Sequence, residues 1–240
     1  MERFSTGIDE LDKKLSGGYP GEKVILITGV AGSGKTIFGI HFLYRSCLEG
    51  KKCMMIATEE TPEDILYQAS LLGHDLKPYY ESGQLLIERI FENRSKKIGQ
   101  TRVGFKPESF EIELPNLAEL VPEDTECLVI DNIGVFALRI STKKLRDQLD
   151  GMNYLLRKKR CTTLLVMDEA AYNMSQQLAE YTAYGSIRLL VKENAYLGKM
   201  ERYLNISKMR STPISPDMSV FEITSEGIKI RVSGGTELVD

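Results

Sequence analysis

Short apolar runs, separated by longer stretches of mixed polarity, set the pattern along most of this chain. Val24-Ile25-Leu26-Ile27 comes first and ends at Gly29. Cys53-Met54-Met55-Ile56-Ala57, Leu85-Leu86-Ile87, Leu128-Val129-Ile130-Asp131 and Thr163-Leu164-Leu165-Val166-Met167 follow. Runs this short and this continuous predict strands, the central ones buried on both faces. Helical stretches lie between them. One runs from about Lys35 to Glu49 and stops at Gly50; another fills roughly Lys143 to Lys159. A third opens at Thr61-Pro62-Glu63-Asp64, where Thr61 can cap, Pro62 suits the first turn and the acids favour the positive helix end. Strands and helices in alternation predict an α/β fold, with a mainly parallel central sheet flanked by helices.

From Ser186 onward the period changes to two. Ser186 to Val191, Arg202 to Lys208, Val220 to Thr224 and Ile228 to Val232 read as a C-terminal antiparallel extension, with Ser225-Glu226-Gly227 as a hairpin turn. Residues 92–122 are polar, charged and carry three prolines. They predict a variable excursion within one domain spanning 1–240.

Composition narrows the class. The 240 residues are 42% hydrophobic and 27% charged, as in ordinary globular proteins. With 31 Lys and Arg against 34 Asp and Glu, the net charge of −3 gives no reason to expect strong unspecific binding to nucleic acid. The basic run Arg157-Lys158-Lys159-Arg160 closes a predicted helix, where cations complement the dipole. Four scattered cysteines without a C-x-x-C pair read as reduced core residues of a cytoplasmic protein. No apolar run nears the length of a membrane span, so no membrane insertion is expected.

Gly29-Val30-Ala31-Gly32-Ser33-Gly34-Lys35-Thr36 matches G-x-x-x-x-G-K-[ST] in full and sits between a predicted strand and a predicted helix. That context carries a mechanism. Small residues leave the backbone open so that N–H groups converge on phosphate oxygens, and the helix N-terminus adds partial positive charge. Lys35 is expected on the β- and γ-phosphates of a nucleoside triphosphate and Thr36 on Mg²⁺. Asp131, ending an apolar strand, is the expected second support of the metal; Asp168 competes, although its position suits a neighbouring strand better. Glu59 and Glu60 end the strand that follows the first helix. A carboxylate there can orient and deprotonate an attacking water; the alternative is simple helix capping ahead of Thr61.

Beyond single motifs, the ordered set resembles KaiC-like domains of the RecA superfamily. Thr6-Gly7-Ile8-Asp9-Glu10-Leu11-Asp12 and Leu15-Ser16-Gly17-Gly18-Tyr19-Pro20 precede the phosphate loop. Thr58-Glu59-Glu60-Thr61-Pro62-Glu63-Asp64-Ile65 and Gly73-His74-Asp75-Leu76 follow it. Gly185-Ser186-Ile187-Arg188-Leu189, Ile206-Ser207-Lys208-Met209-Arg210 and Phe221-Glu222-Ile223-Thr224-Ser225-Glu226-Gly227-Ile228 continue the likeness to the end. The resemblance implies a RecA-like P-loop ATPase in a homo-oligomeric ring, commonly a hexamer, with ATP and Mg²⁺ between subunits. It implies that Glu59 and Glu60 act on the attacking water, and that Lys208 and Arg210 reach the neighbour's γ-phosphate. It departs from the family in two ways. Ser211 stands where a glycine usually follows the Lys-x-Arg pair, and Asp168-Glu169 replaces a recombinase-type sensor glutamine.

Three functional readings follow. The favoured one is an ATPase whose cycle switches conformation or binding of an unknown protein partner. A recombinase paralogue on single-stranded DNA would instead need basic loops, for which Arg94, Lys96, Lys97, Arg102 and Lys106 are the candidates. A nucleotide-binding regulator with little turnover is the third, because a P-loop shows binding better than rate.

Overall fold

The computed structural model describes residues 1–90, 113–137, 140–169, 173–194 and 198–231. The apolar runs form the strands β3 (Val24–Gly29), β4 (Cys53–Ala57), β5 (Leu85–Arg89), β6 (Cys127–Asp131) and β7 (Thr162–Asp168). Four later strands are β8 (Gly185–Asn194), β9 (Lys199–Met209), β10 (Ser219–Thr224) and β11 (Gly227–Ile230). Together they make one nine-stranded sheet ordered β11-β10-β9-β8-β3-β7-β6-β4-β5. Near the N-terminus, β1 (Arg3–Phe4) and β2 (Tyr19–Pro20) form a separate antiparallel pair around α1 (Asp9–Lys14).

The continuous apolar runs are explained by two packed faces. On one side Ile25, Ile27, Met55, Val129 and Leu164 meet Phe38, Phe42 and Leu43 of α2 (Lys35–Leu48) and Ile65 of α3 (Pro62–Leu71). On the other side Leu26, Met54, Leu128, Ile130 and Leu165 meet Leu114 and Leu117 of α5 (Leu114–Glu119) and Leu145, Leu149 and Met152 of α7 (Thr142–Lys158). Alternate strand residues thus serve alternate layers, and each fully buried Leu, Ile or Phe contributes roughly 2 kcal/mol. Shorter helices α4 (Lys77–Glu81), α6 (Gly134–Ala137) and α8 (Asn173–Thr182) complete the flanks.

The C-terminal antiparallel extension is present, and its first strand joins it to the rest of the sheet: β8, which holds Ser186 to Val191, pairs in parallel with β3, with Ile25 opposite Gly185 and Gly29 opposite Leu189. Only its pairing with β9 is antiparallel, and β9, β10 and β11 continue in that sense. Alternation marks a strand with unlike faces but carries no information about direction. The excursion expected over 92–122 lies mostly outside the described residues, and its end folds as α5. All four cysteines are buried free thiols. Among the described residues no helix is long and apolar enough to cross a membrane.

Candidate functional site

The site forms where four parallel strands end together. β3 delivers Gly29 to the mouth of a loop that turns at once into α2. Gly29 sits where no side chain fits: a Cβ would lie 2.6 Å from Ser33 Oγ and 2.7 Å from the Leu189 carbonyl. At the N-cap, Gly34 has φ +100°, and a Cβ there would press to 2.9 Å from Ile223 Cδ1 of β10. No side chain caps α2, and its first turn holds no acid. Its leading N–H groups are therefore left for an external acceptor.

The next helix, α3, is capped from within. Thr61 Oγ1 accepts from Asp64 N, and the Asp64 carboxylate answers the Thr61 backbone in a complete capping box. Capping therefore makes no use of Glu59 or Glu60. Glu59 is exposed, while Glu60 is partly buried and has one carboxylate oxygen, Oε2, shielded from water without a hydrogen-bond partner among the described residues. Both line a cleft with Thr36 and Asp131, over a floor of Met55, Ala57 and Ile65.

Lys35 and Thr36 lie on the first turn of α2 and point to different carboxylates. Thr36 Oγ1 donates to Asp131 Oδ2 at 2.6 Å. Lys35 Nζ lies 2.5 Å from Asp168 Oδ1 and donates to the Val30 carbonyl at 3.0 Å. β6 and β7 are neighbours, so Asp131 and Asp168 share one rim, with Asp168 opposite Gly29. Burial pushes the Asp131 carboxyl up to about 6; the Thr36 bond opposes this, Glu60 adds to it, Lys35 opposes it and Glu59 adds to it. The cleft is short of positive charge.

Asn132 is a residue that sequence reasoning passed over. It is buried, its Nδ2 donates to Asp168 Oδ2 at 2.6 Å, and its Oδ1 accepts from Gly134 N at 2.7 Å. Its own N–H donates to Thr58 Oγ1 at 2.9 Å. No signal in the sequence marks it, because an Asn after a strand usually reads as turn chemistry. Arg202 is another: from β9 its Nη2 donates to the Gly32 carbonyl at 3.4 Å.

Lys208 and Arg210 are not brought to this cleft. Met209 is level with Gly185, and Gly185 with Ile25, four residues back along β3 from Gly29. They therefore sit about 13 Å down the sheet from the phosphate loop, near its opposite edge. Lys208 Nζ donates to the Glu180, Tyr181 and Ala183 carbonyls at 2.7, 3.0 and 2.6 Å, closing the C-terminal end of α8. Arg210 is exposed, and its guanidinium has no partner among the described residues. In the basic run, Lys159 bonds to Val121 O and pairs with Glu123, Arg160 pairs with Glu22, and Lys158 lies over the Tyr154 ring. The candidate DNA-contacting cations between residues 94 and 106 lie outside the described residues.

A P-loop at the end of β3, acids at the tips of neighbouring strands and a sheet extended by antiparallel strands define a RecA-type nucleotide-binding protein. The family profile described as "ATPase: KaiC" matches residues 4–234, and the chain belongs to that family. A UPF0273 protein of Methanopyrus kandleri is 30% identical over 96% of this chain and 92% of its own length. The circadian clock oscillator protein KaiC of Parathermosynechococcus lividus is 27% identical over 96% of this chain; the chain covers only 41% of that protein. Among solved structures, the KaiC-like protein of Pyrococcus horikoshii superposes with a TM-score of 0.75 at 27% identity, covering 96% of this chain and 99% of the other.

Proposed function

We propose that the cleft binds ATP with Mg²⁺ and hydrolyses it, in a homo-oligomeric ring whose neighbouring subunit completes each site. The hexamer is the assembly favoured by the family resemblance. The cycle then switches the conformation of the ring, or its hold on a protein partner.

The observation that carries this reading is the pairing of Thr36 Oγ1 with Asp131 Oδ2 at 2.6 Å, beside an unpartnered Glu60 oxygen. The residues present fit a hydrated divalent cation, because a hydroxyl and a buried carboxylate converge where negative charge is crowded. Thr36 and Asp131 would hold it. When bound, Mg²⁺ offsets phosphate charge and orients the chain of phosphates.

The remaining work falls to the chain's own groups. The open backbone from Gly29 to Gly34 and the uncapped start of α2 cradle phosphate oxygens, and Lys35 adds a full positive charge. Glu60, with Glu59 beside it, faces the cleft from the tip of β4, where a carboxylate accepts a proton from water. Arg210, unpaired among the described residues, is available at the opposite edge to a neighbouring subunit's site, where a guanidinium stabilises charge delivered in trans. Its distance from its own P-loop supports that assignment.

The test is light-scattering mass measurement with and without ATP and Mg²⁺, with phosphate release followed in the same samples. Nucleotide-dependent assembly with release is expected, and Lys35→Ala abolishes nucleotide binding while keeping the folded state. Unchanged affinity in that variant would refute the assigned site.

A further inference from the structure

Lys35, the one lysine of the phosphate loop, is already occupied. Of its three N–H donors, one meets Asp168 Oδ1 at 2.5 Å and one the Val30 carbonyl at 3.0 Å, and the side chain is only 8% exposed. The Asp168 carboxylate is fixed on both sides. Oδ1 faces the lysine, and Oδ2 accepts from Asn132 Nδ2 at 2.6 Å. Asn132 is held in turn: its Oδ1 accepts from Gly134 N at 2.7 Å and from Asp168 N at 3.3 Å, and its N–H reaches Thr58 Oγ1 at 2.9 Å. Every bond that fixes this amide leaves Asp168 aimed at Lys35. Sequence reasoning offered Asp168 only as a rival metal ligand, whereas the structure gives the metal-side hydroxyl of Thr36 to Asp131.

We infer that Asp168 is a positioning residue that competes with the phosphate chain for Lys35 and so sets the affinity of the site for nucleotide. This rests on the P-loop being the nucleotide site. A phosphate chain entering the loop has to draw Lys35 away from an oriented carboxylate. It also brings negative charge toward Asp168, which Asn132 prevents from swinging aside. The penalty is greatest for a phosphate chain without a divalent cation, because nothing then offsets the charge on Asp168, Asp131, Glu59 and Glu60. Asp168 thus makes binding depend on the cation more steeply than Thr36 and Asp131 alone would.

The probe is ADP, titrated in excess EDTA and again in excess Mg²⁺, into wild type, Asp168→Asn and Asp168→Glu. Loss of one charge-assisted bond to Lys35 is expected to tighten metal-free ADP binding by about tenfold in Asp168→Asn. The gain in Mg²⁺ should be smaller. Asp168→Glu, which keeps a carboxylate within reach, should behave as wild type. A merely structural Asp168 would give weaker binding in the Asn variant; weaker or unchanged metal-free binding overturns the inference. In the wild-type protein, the Lys35 Nζ resonance should shift on ADP addition as it exchanges Asp168 for phosphate. An unshifted Lys35 in a protein that binds ADP overturns it without any variant. The two readings separate cleanly. If wild type and Lys35→Ala bind ADP alike, the P-loop assignment fails; if only the Asp168 effect is missing, that assignment stands.

Discussion

Glu60 and Thr61 are adjacent in sequence but differ in their contacts. Thr61 closes its capping box with Asp64, and Glu60 keeps one oxygen buried and unpartnered in the cleft. An unpartnered buried oxygen costs about 1–3 kcal/mol, so its place beside Thr36 and Asp131 suggests a use in the filled site. On the proposed reading, Glu60→Gln lowers the rate of phosphate release at least about a hundredfold and leaves ATP affinity nearly unchanged. Single-turnover release measured beside equilibrium binding checks this, and unaltered turnover would reduce the acids to surface charge. The motif from Gly29 to Thr36 was readable because the chemistry is compressed into consecutive residues. Asn132 was not, and Asp168 was read only as a rival metal ligand, because the bond between them joins the ends of neighbouring strands 36 positions apart.

Between elements, a pair of histidines fastens the helix of the phosphate loop to the C-terminal hairpin. Ile228 N donates to His41 Nε2 at 2.8 Å, so the ring proton sits on Nδ1, which faces the Gly7 carbonyl at 3.1 Å and His74 Nε2 at 2.9 Å. The preceding Gly227 has φ +89°, and a Cβ there would lie 2.4 Å from the His41 ring. Burial, then the neighbouring His74, lower the His41 pKa to about 4, and the Gly7 bond opposes them. Since the folded value lies below the ordinary 6.5, the unfolded chain binds more protons between those limits. Stability is therefore full above about pH 6.5 and is lost as pH falls toward 4, by about 3 kcal/mol. Urea unfolding across this range checks the slope. His41→Gln, whose carbonyl can still accept from Ile228, should flatten most of it, leaving the part due to half-buried His74.

This contact joins residues that no local pattern connects. Strand and helix identity was legible because two-sided burial writes itself as unbroken apolar runs. Short helices such as α1, α4 and α6 were not, since five or so residues give no period to read.

At the scale of the whole molecule, the two cations of the Lys-x-Arg pair have different surroundings. Lys208 is spent on three carbonyls at the end of α8, whereas Arg210 is exposed and unpaired among the described residues. Arg210→Ala is therefore expected to retain nucleotide binding and the unfolding temperature but to lose turnover by about a thousandfold. Lys208→Ala should instead lower the unfolding temperature. Calorimetry and phosphate release on the two variants distinguish these roles, and equal turnover in Arg210→Ala and wild type would remove the arginine from the reaction.

The offset between Arg210 and the loop at Gly29 has an arithmetical consequence. If each copy lends its arginine to the next, contacts run head to tail, and any open row leaves a terminal pocket unfinished. A row always has one working pocket fewer than its members, whereas a closed circle has as many as it has members. Closure by itself then raises output per chain, most sharply for the smallest circles, without any atom of an individual pocket changing place.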